Sequence, residues 1–315
     1  MPSPAPLIHI GLHKTGTTWL QNSILPQAKH GLAHWNNQLR LGNKFREIFL
    51  TYKADFDAKA IRTYYDNQRT AGNNDGLVPV ISSERLSGNP HLGGYDRYEI
   101  ANRLAAMFPE ARIAIGIREQ RSMIRSCYSQ FVNGGGLMRL EDYIKDKTGR
   151  GPSFTLNHFR YDALLDLYGG LFGKENVVVL PYEELRSDPV AYLNRLMRFC
   201  KLEPVTTLTE EEFEPVHPSA GCTSTNVQRM LNIFMHPDIL NGFTPLGSRI
   251  GDRIGEKISA SFNSKLFAGR DKKLSQEWRR IIEARVGDFY RASNRATTKL
   301  TGINLKGMGY AVSDS

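Results

Sequence analysis

The chain has 315 residues, of which 40% are hydrophobic and 23% charged, and its formal net charge is +9. That length buries a substantial core and suits one large α/β domain or two smaller domains, and the composition excludes a fibrous or low-complexity chain. No apolar run approaches the roughly 20 residues that span a bilayer, and residues 1–6 lack the basic and apolar segments of a secretory signal.

Residues 7–10, Leu-Ile-His-Ile, form a short apolar run ending at Gly11 and predict a buried strand. Residues 18–25 have helical spacing until Pro26 stops them. Residues 30–75 read as irregular helices and loops. Residues 77–81 predict a second strand, weakened by Pro79. Tyr98, Ala101, Leu104, Ala105 and Phe108 share one face of a helix that Pro109 ends. Residues 112–117 predict a third strand, followed by a helix over 120–131 and a glycine break at 134–136. Another helix is expected over 157–168. The β-branched run 177–180, bounded by Asn176 and Pro181, is the clearest strand, and a helix over 190–200 follows it. Near 274–294 a helix carries Leu274, Trp278, Ile281, Ile282 and Phe289 on one side; the stripe is expected to pack on the domain rather than on a membrane or partner. Strands alternating with helices predict an α/β, P-loop-like three-layer fold with a central parallel sheet flanked by helices. In such folds ligands bind beyond the carboxyl ends of the strands. One domain is expected over 1–315, with 249–315 a basic, largely helical part packed on it.

Between the first strand and the first helix lies Gly11-Leu12-His13-Lys14-Thr15-Gly16-Thr17-Thr18. Such a loop aims backbone N–H groups at a phosphate, with the positive end of the helix dipole behind them, and Thr15, Thr17 and Thr18 add hydroxyl donors. Two glycines with four residues between them match the nucleoside-triphosphatase loop, but that motif puts lysine directly after the second glycine. Here Thr17 stands there, and the lysine is Lys14, inside the loop. A lysine so placed lies beside the single phosphate that the loop holds, which points to a 5′-phosphate whose bond to a departing group is broken.

His-Lys-Thr-Gly-Thr-Thr-Trp-Leu-Gln at 13–21 resembles the 5′-phosphosulfate loop of the sulfotransferases that use 3′-phosphoadenosine 5′-phosphosulfate (PAPS). The resemblance implies that Lys14 contacts the oxygen bridging sulfate and phosphate, and that Trp19 flanks the adenine. A second stretch, Ile-Arg-Glu-Gln-Arg-Ser-Met-Ile-Arg-Ser-Cys-Tyr at 117–128, is similar to the family's 3′-phosphate motif, with Arg118 at the strand end and Ser126 eight residues later. An arginine fork grips a phosphate bidentately, and a helical serine two turns on completes the cradle. The family's Asn-Pro after the arginine is replaced by Glu119-Gln120, which puts the turn geometry in question. Residues 180–189 resemble the family's strand-exit pattern and imply Tyr182 near the adenine; Ser187 or Asp188 is expected to cap the next helix. Gly-Met-Gly-Tyr at 307–310 looks like bacterial members. The resemblance is firm over about 7–200 and loose beyond.

Transfer to a hydroxyl or amino group needs a general base. The second strand exits into Ser82-Ser83-Glu84-Arg85, where carbohydrate-directed members present a glutamate, so Glu84 is the expected base, with His13 and His91 as alternatives and a salt bridge to Arg85 as its structural role. His9 is expected to be a satisfied core histidine. The resemblance thus implies sulfuryl transfer from PAPS, releasing PAP without a metal, to a carbohydrate, glycolipid or small molecule. A P-loop kinase and a non-catalytic nucleotide- or polyanion-binding module remain open at this point. Residues 30–75, 133–152 and 216–243 are expected to shape the acceptor cleft, with 216–219 and 223–229 closing over the nucleotide. The three cysteines, Cys127, Cys200 and Cys222, are too scattered for a disulfide scaffold or zinc site and favour a reducing, cytoplasmic setting. Residues 249–306 hold 14 Lys and Arg against 6 Asp and Glu, a surplus that suits an anionic cofactor, a polyanion or the inner membrane surface. No stacking aromatics or recognition motif points to nucleic acid, and no stable protein partner is implied.

Overall fold

The computed structural model describes residues 4–35, 44–71, 76–145, 153–213, 221–235 and 268–313. Five strands build one sheet: β1 (Leu7–His9), β2 (Leu32–His34), β3 (Val78–Ser82), β4 (Arg112–Ile117) and β5 (Val177–Pro181). They lie in the order β2-β3-β1-β4-β5, and every pair is parallel. All five carboxyl ends therefore open at one edge, and the loop leaving β1 sits between the exits of β3 and β4.

Side chains alternate across a strand, and the two apolar cores follow that alternation. Ile8, Ile81, Ile113, Ile115 and Ile117 pack in one cluster, while Leu7, Val80, Ala114 and Leu180 belong to the other. Both faces are covered, which is the condition for an all-parallel sheet. The first core takes the helices Arg97–Met107, Gln120–Asn133, Tyr161–Phe172 and Ala268–Val286; the second takes Trp19, Leu20 and the Pro189–Cys200 helix.

Pro79 lies within an interior strand without breaking it. Its register partner is Ala33 of β2, whereas β1 begins opposite Val80, so Pro79 is paired on one side alone. β2 falls inside the stretch that reads as irregular from sequence. The helix after β4 runs Gln120–Asn133, two residues beyond expectation. Over 157–168 the chain instead makes a 3-10 turn, Leu156–Phe159, and then the helix Tyr161–Phe172.

Two face assignments need correction. Tyr98 is 68% exposed, whereas Ala101, Leu104 and Phe108 are buried as expected, and Ile100 and Met107 join them. The helix expected over 274–294 is two, Ala268–Val286 and Arg291–Thr301, separated at Gly287, whose φ is +48. The break turns Phe289 out to 45% exposure, while Trp278 and Ile282 stay in the core. The second of these helices is tied to the body by Gln120, whose amide donates to Asn294 Oδ1 at 2.6 Å, and by Asn294 Nδ2, which donates to Ala311 O at 2.8 Å. Among the described residues no helix is long and apolar enough to cross a membrane.

Candidate active site

The loop after β1 is closed by its own threonine. Thr15 Oγ1 donates to Leu12 O at 2.7 Å and accepts from Leu12 N at 3.3 Å, fully buried. Behind it stands Gly116 of β4, where an added Cβ would come within 2.5 Å of that oxygen. Gly16 has φ +88, and a Cβ there would lie 2.3 Å from Leu185 Cδ2, so the loop packs directly on the Tyr182–Ser187 helix. Lys14 stands at the exposed tip, itself in the left-handed region with φ +65. Thr18 is exposed beside it. Thr17 starts the helix Thr17–Trp19, which continues as a π turn over Leu20–Ile24.

Two of the other expected residues, Arg118 and Tyr182, meet this loop. Arg118, at the end of β4, donates from Nη1 to Lys14 O at 3.3 Å and from Nε to Ser122 Oγ at 2.9 Å. Its guanidinium lies over the Tyr182 ring, 4.7 Å from the centroid, a cation–π contact that aligns the fork. Ser126 follows two turns along the same helix, 4% exposed. Its hydroxyl and that of Thr17 are buried without a hydrogen-bond partner among the described residues. Buried hydroxyls are nearly always satisfied, and phosphate oxygens would satisfy both. The loop, the arginine fork and these two hydroxyls fit a nucleotide that carries phosphate at two positions.

The replacement of Asn-Pro by Glu119-Gln120 has a local explanation. The Glu119 carboxylate accepts from Arg121 N at 3.0 Å and Ser122 N at 2.8 Å, capping the helix that a proline would otherwise start. Asp188 caps the Pro189–Cys200 helix by accepting from Ala191 N at 2.9 Å, whereas Ser187 turns back to donate to Glu183 O at 3.1 Å.

Sequence reasoning missed the frame behind Arg118. Tyr161 O–H donates to Arg118 O, and Glu183 accepts from Glu119 N at 2.9 Å and from the Tyr310 hydroxyl at 2.7 Å. Glu183 thereby joins the exits of β4 and β5 to the C-terminal segment. The only signal for this was the Gly-Met-Gly-Tyr run that ends at Tyr310.

Trp19 is 6% exposed and packed edge-on against Tyr192, and its indole donates to Glu212 O at 2.7 Å. The Glu212 carboxylate is buried and accepts from Lys29 Nζ and His30 Nε2, both at 2.7 Å, and from Thr209 N at 2.8 Å. Burial alone would raise its pKa; these donors outweigh burial and hold it down at about 2. The Trp19–Glu212 link leads into residues 214–220, which, with 236–267, lie outside the described residues, as do parts of the expected acceptor-cleft segments.

β3 delivers Glu84 to the same edge. Ser83 N donates to His9 O at 3.0 Å, and Ser83 Oγ caps the turn Glu84–Ser87 by accepting from Arg85 N at 3.2 Å. The Glu84 backbone lies against the phosphate loop: a Cβ on Gly11 would be 3.3 Å from Glu84 Cα and 2.9 Å from Thr17 Oγ1. Glu84 is half-buried, and its carboxylate has no ion pair or hydrogen bond among the described residues. Arg85 pairs instead with Asp96 and lies over the Phe49 ring, so the expected structural role for Glu84 is not made.

His13 and His91 are neutral at pH 7. Burial, aided by the neighbouring His91, Arg85 and Lys14, lowers His13 to about 3, and burial lowers His91 to about 4. Their rings are 6.4 Å apart. His9 is a core histidine, lowered to about 4 by burial and then by His34. It is satisfied on one side only: Nδ1 pairs with Ser82 Oγ at 2.8 Å, and Nε2 has no partner among the described residues.

Comparison with known proteins bears on this arrangement. A search of curated proteins finds no match. Among solved structures, a sulfotransferase from Alicyclobacillus acidocaldarius aligns at 15% identity and a TM-score of 0.48, covering 73% of this chain and 93% of its own. The sulfotransferase domain of the curacin biosynthetic pathway aligns at 16% identity and 0.38, covering 68% and 78%. The sulfotransferase domain of an olefin synthase from Synechococcus PCC 7002 aligns at 12% and 0.38, covering 84% and 97%. The description "Sulfotransferase family" matches residues 6–206, a stretch that begins just before the phosphate loop and runs past the β5 exit, and the chain therefore belongs to the sulfotransferase family.

Proposed function

We propose that the protein transfers a sulfuryl group from PAPS to a hydroxyl or amino group, on a carbohydrate or glycolipid, and releases PAP. The observation that carries this reading is the contact between the two phosphate signatures: Arg118 hydrogen-bonds the carbonyl of Lys14 and stacks on Tyr182. A 5′-phosphosulfate on the loop and a 3′-phosphate at Arg118 and Ser126 would belong to one nucleotide, and Lys14 and Arg118 are held together.

In this reading the loop amides and Lys14 receive negative charge as the bond from sulfur to the bridging oxygen breaks. Preorganised donors of that kind are worth on the order of 3 kcal/mol each. Glu84 takes the proton of the acceptor hydroxyl as the new oxygen–sulfur bond forms, and the electron pair of the broken bond stays on the phosphate oxygen. A glutamate at the β3 exit favours a carbohydrate-directed member. A kinase reading lacks the lysine after Gly16, where Thr17 stands.

Calorimetry decides between donors. Adenosine 3′,5′-bisphosphate is expected to bind tightly without metal, and ATP with magnesium weakly; the opposite order overturns the assignment. Labelled PAPS incubated with a panel of glycans, glycolipids and phenols should then pass its label to the acceptor.

A further inference from the structure

A cavity of about 270 Å³ opens beside the site, lined by His91, Gln130, Phe131, Leu137, Met138 and the glycines at 134–136. Among the described residues no lining side chain is a carboxylate, lysine or arginine. Its position is fixed through His91, whose ring is 6.4 Å from that of His13, the residue before Lys14. The walls are built rather than loose. Asn232, fully buried, donates from Nδ2 to Val132 O at 2.7 Å and Gly136 O at 3.1 Å. Arg229 donates to Leu137 O at 3.3 Å and Tyr128 to Met138 O at 3.0 Å. The Phe131 ring lies so close to Gly136 that a Cβ there would stand 2.3 Å from it. The stretch that reads as a glycine break is thus a braced wall.

The cavity presents aromatic surface and uncharged polar groups together. Phe131 stands 5.8 Å from the His91 ring and 4.9 Å from that of Tyr143. Gln130 lines the cavity, and its Oε1 is buried with no partner among the described residues, an acceptor that a turn of the amide would offer to a ligand. At His91 the tautomer follows from its neighbour. Tyr143 OH is buried, burial keeps that phenol protonated, and its hydrogen-bond partner is His91 Nδ1 at 2.9 Å. Among the described residues the phenol has no other acceptor, so it donates to Nδ1 and the hydrogen of the neutral ring sits on Nε2. His91 therefore offers an N–H and is not the base.

We propose that this cavity is the acceptor subsite, that it takes a single uncharged ring bearing hydroxyls, and that His91 positions the ring by donating to one of its oxygens. This deepens the sulfotransferase reading and rests on it. The volume suits one ring, the aromatic wall suits its flat or apolar face, and Gln130 with His91 supplies one acceptor and one donor. A sugar and a phenol share this chemistry, and the test separates them.

The test uses the full chain with PAP bound, so that donor binding is checked first by calorimetry. Three probes are titrated: methyl glucoside, 4-methylphenol and 4-hydroxybenzoate, while the His91 ring nitrogens are followed by NMR with labelled histidine. Gly134→Leu narrows the cavity at a position with φ −82, where an added Cβ meets only ordinary contacts. His91→Phe keeps a ring but removes the N–H, and His91→Gln restores an N–H at a similar reach. One of the two neutral probes should shift the His91 resonances, and Gly134→Leu and His91→Phe should each weaken it about tenfold, the loss of one buried hydrogen bond or its equivalent in packing. His91→Gln should recover part of the affinity, and PAP affinity should not change in any variant. The proposal is overturned if neither neutral probe shifts His91, if the carboxylate probe binds as well as 4-methylphenol, or if Gly134→Leu leaves probe affinity intact. Absence of PAP binding to the wild-type chain would instead overturn the donor assignment, and this proposal with it.

Discussion

Glu84 meets the phosphate loop through its backbone, against Gly11, while Arg85 next to it is engaged by Asp96. That division leaves the Glu84 carboxylate for chemistry and gives its neighbour the structural work. Glu84→Gln is expected to lose most turnover while keeping its affinity for PAP; steady-state rates paired with calorimetry check this, and near-normal rates would remove Glu84 from the reaction. Lys14→Ala should slow transfer by about a hundredfold, as the removal of one charge-stabilising donor does. Arg118→Ala should act differently, chiefly weakening donor binding, because in the proposed reading its fork grips the nucleotide while it also holds the loop carbonyl. Trp19 makes the opposite point. Its indole is buried between Tyr192 and the Glu212 carbonyl, so truncating it disturbs the core before it disturbs any ligand.

Among elements, those whose signal is local were legible. β1, β4 and β5 are short apolar runs with clear stops, and the three phosphate and strand-exit motifs sit in order along one edge. β2, Leu32–His34, is as short as β1 but holds a single large aliphatic residue, so no apolar run marks it. The helix break at Gly287 was hidden because apolar spacing continues through it to Phe289, and only the positive φ turns that residue outward. Glu183, Tyr161 and Tyr310 were missed for another reason: Glu183 and Tyr310 are 127 residues apart, and no local pattern announces a contact at that distance. The element most sensitive to change is the junction of the loop with the helix Tyr182–Ser187. Gly16→Ala places a methyl 2.3 Å from Leu185 Cδ2 on a left-handed backbone. It should cost on the order of 2 kcal/mol in thermal unfolding and widen the phosphate site.

For the molecule as a whole, four neutral histidines set the acid limit, among them His158, which burial holds well below its ordinary value. His9, His13 and His91 are held at about 4, 3 and 4 against 6.5 in the unfolded chain, each mainly by burial. Below pH 6.5 the unfolded chain takes up protons that the folded chain refuses until near pH 4. The unfolded state therefore binds more protons across that window, and stability falls as pH drops. With His158, four such groups together give a steepest slope of about 5 kcal/mol per pH unit. Denaturant midpoints measured between pH 7.5 and 5 should fall accordingly; a flat profile would mean that these imidazoles are as hydrated in the folded chain as in the unfolded one. The backbone at Lys14 adds a second global consequence. A side chain in the left-handed region costs on the order of 1 kcal/mol, and Lys14 is there with φ +65. Exchanging that residue for glycine would relax the strain and discard the cation in one stroke, yielding a protein that survives more heat and does less chemistry. Selection for thermal robustness alone would drift toward that sequence, so heat tolerance and sulfuryl transfer pull this one position in opposite directions.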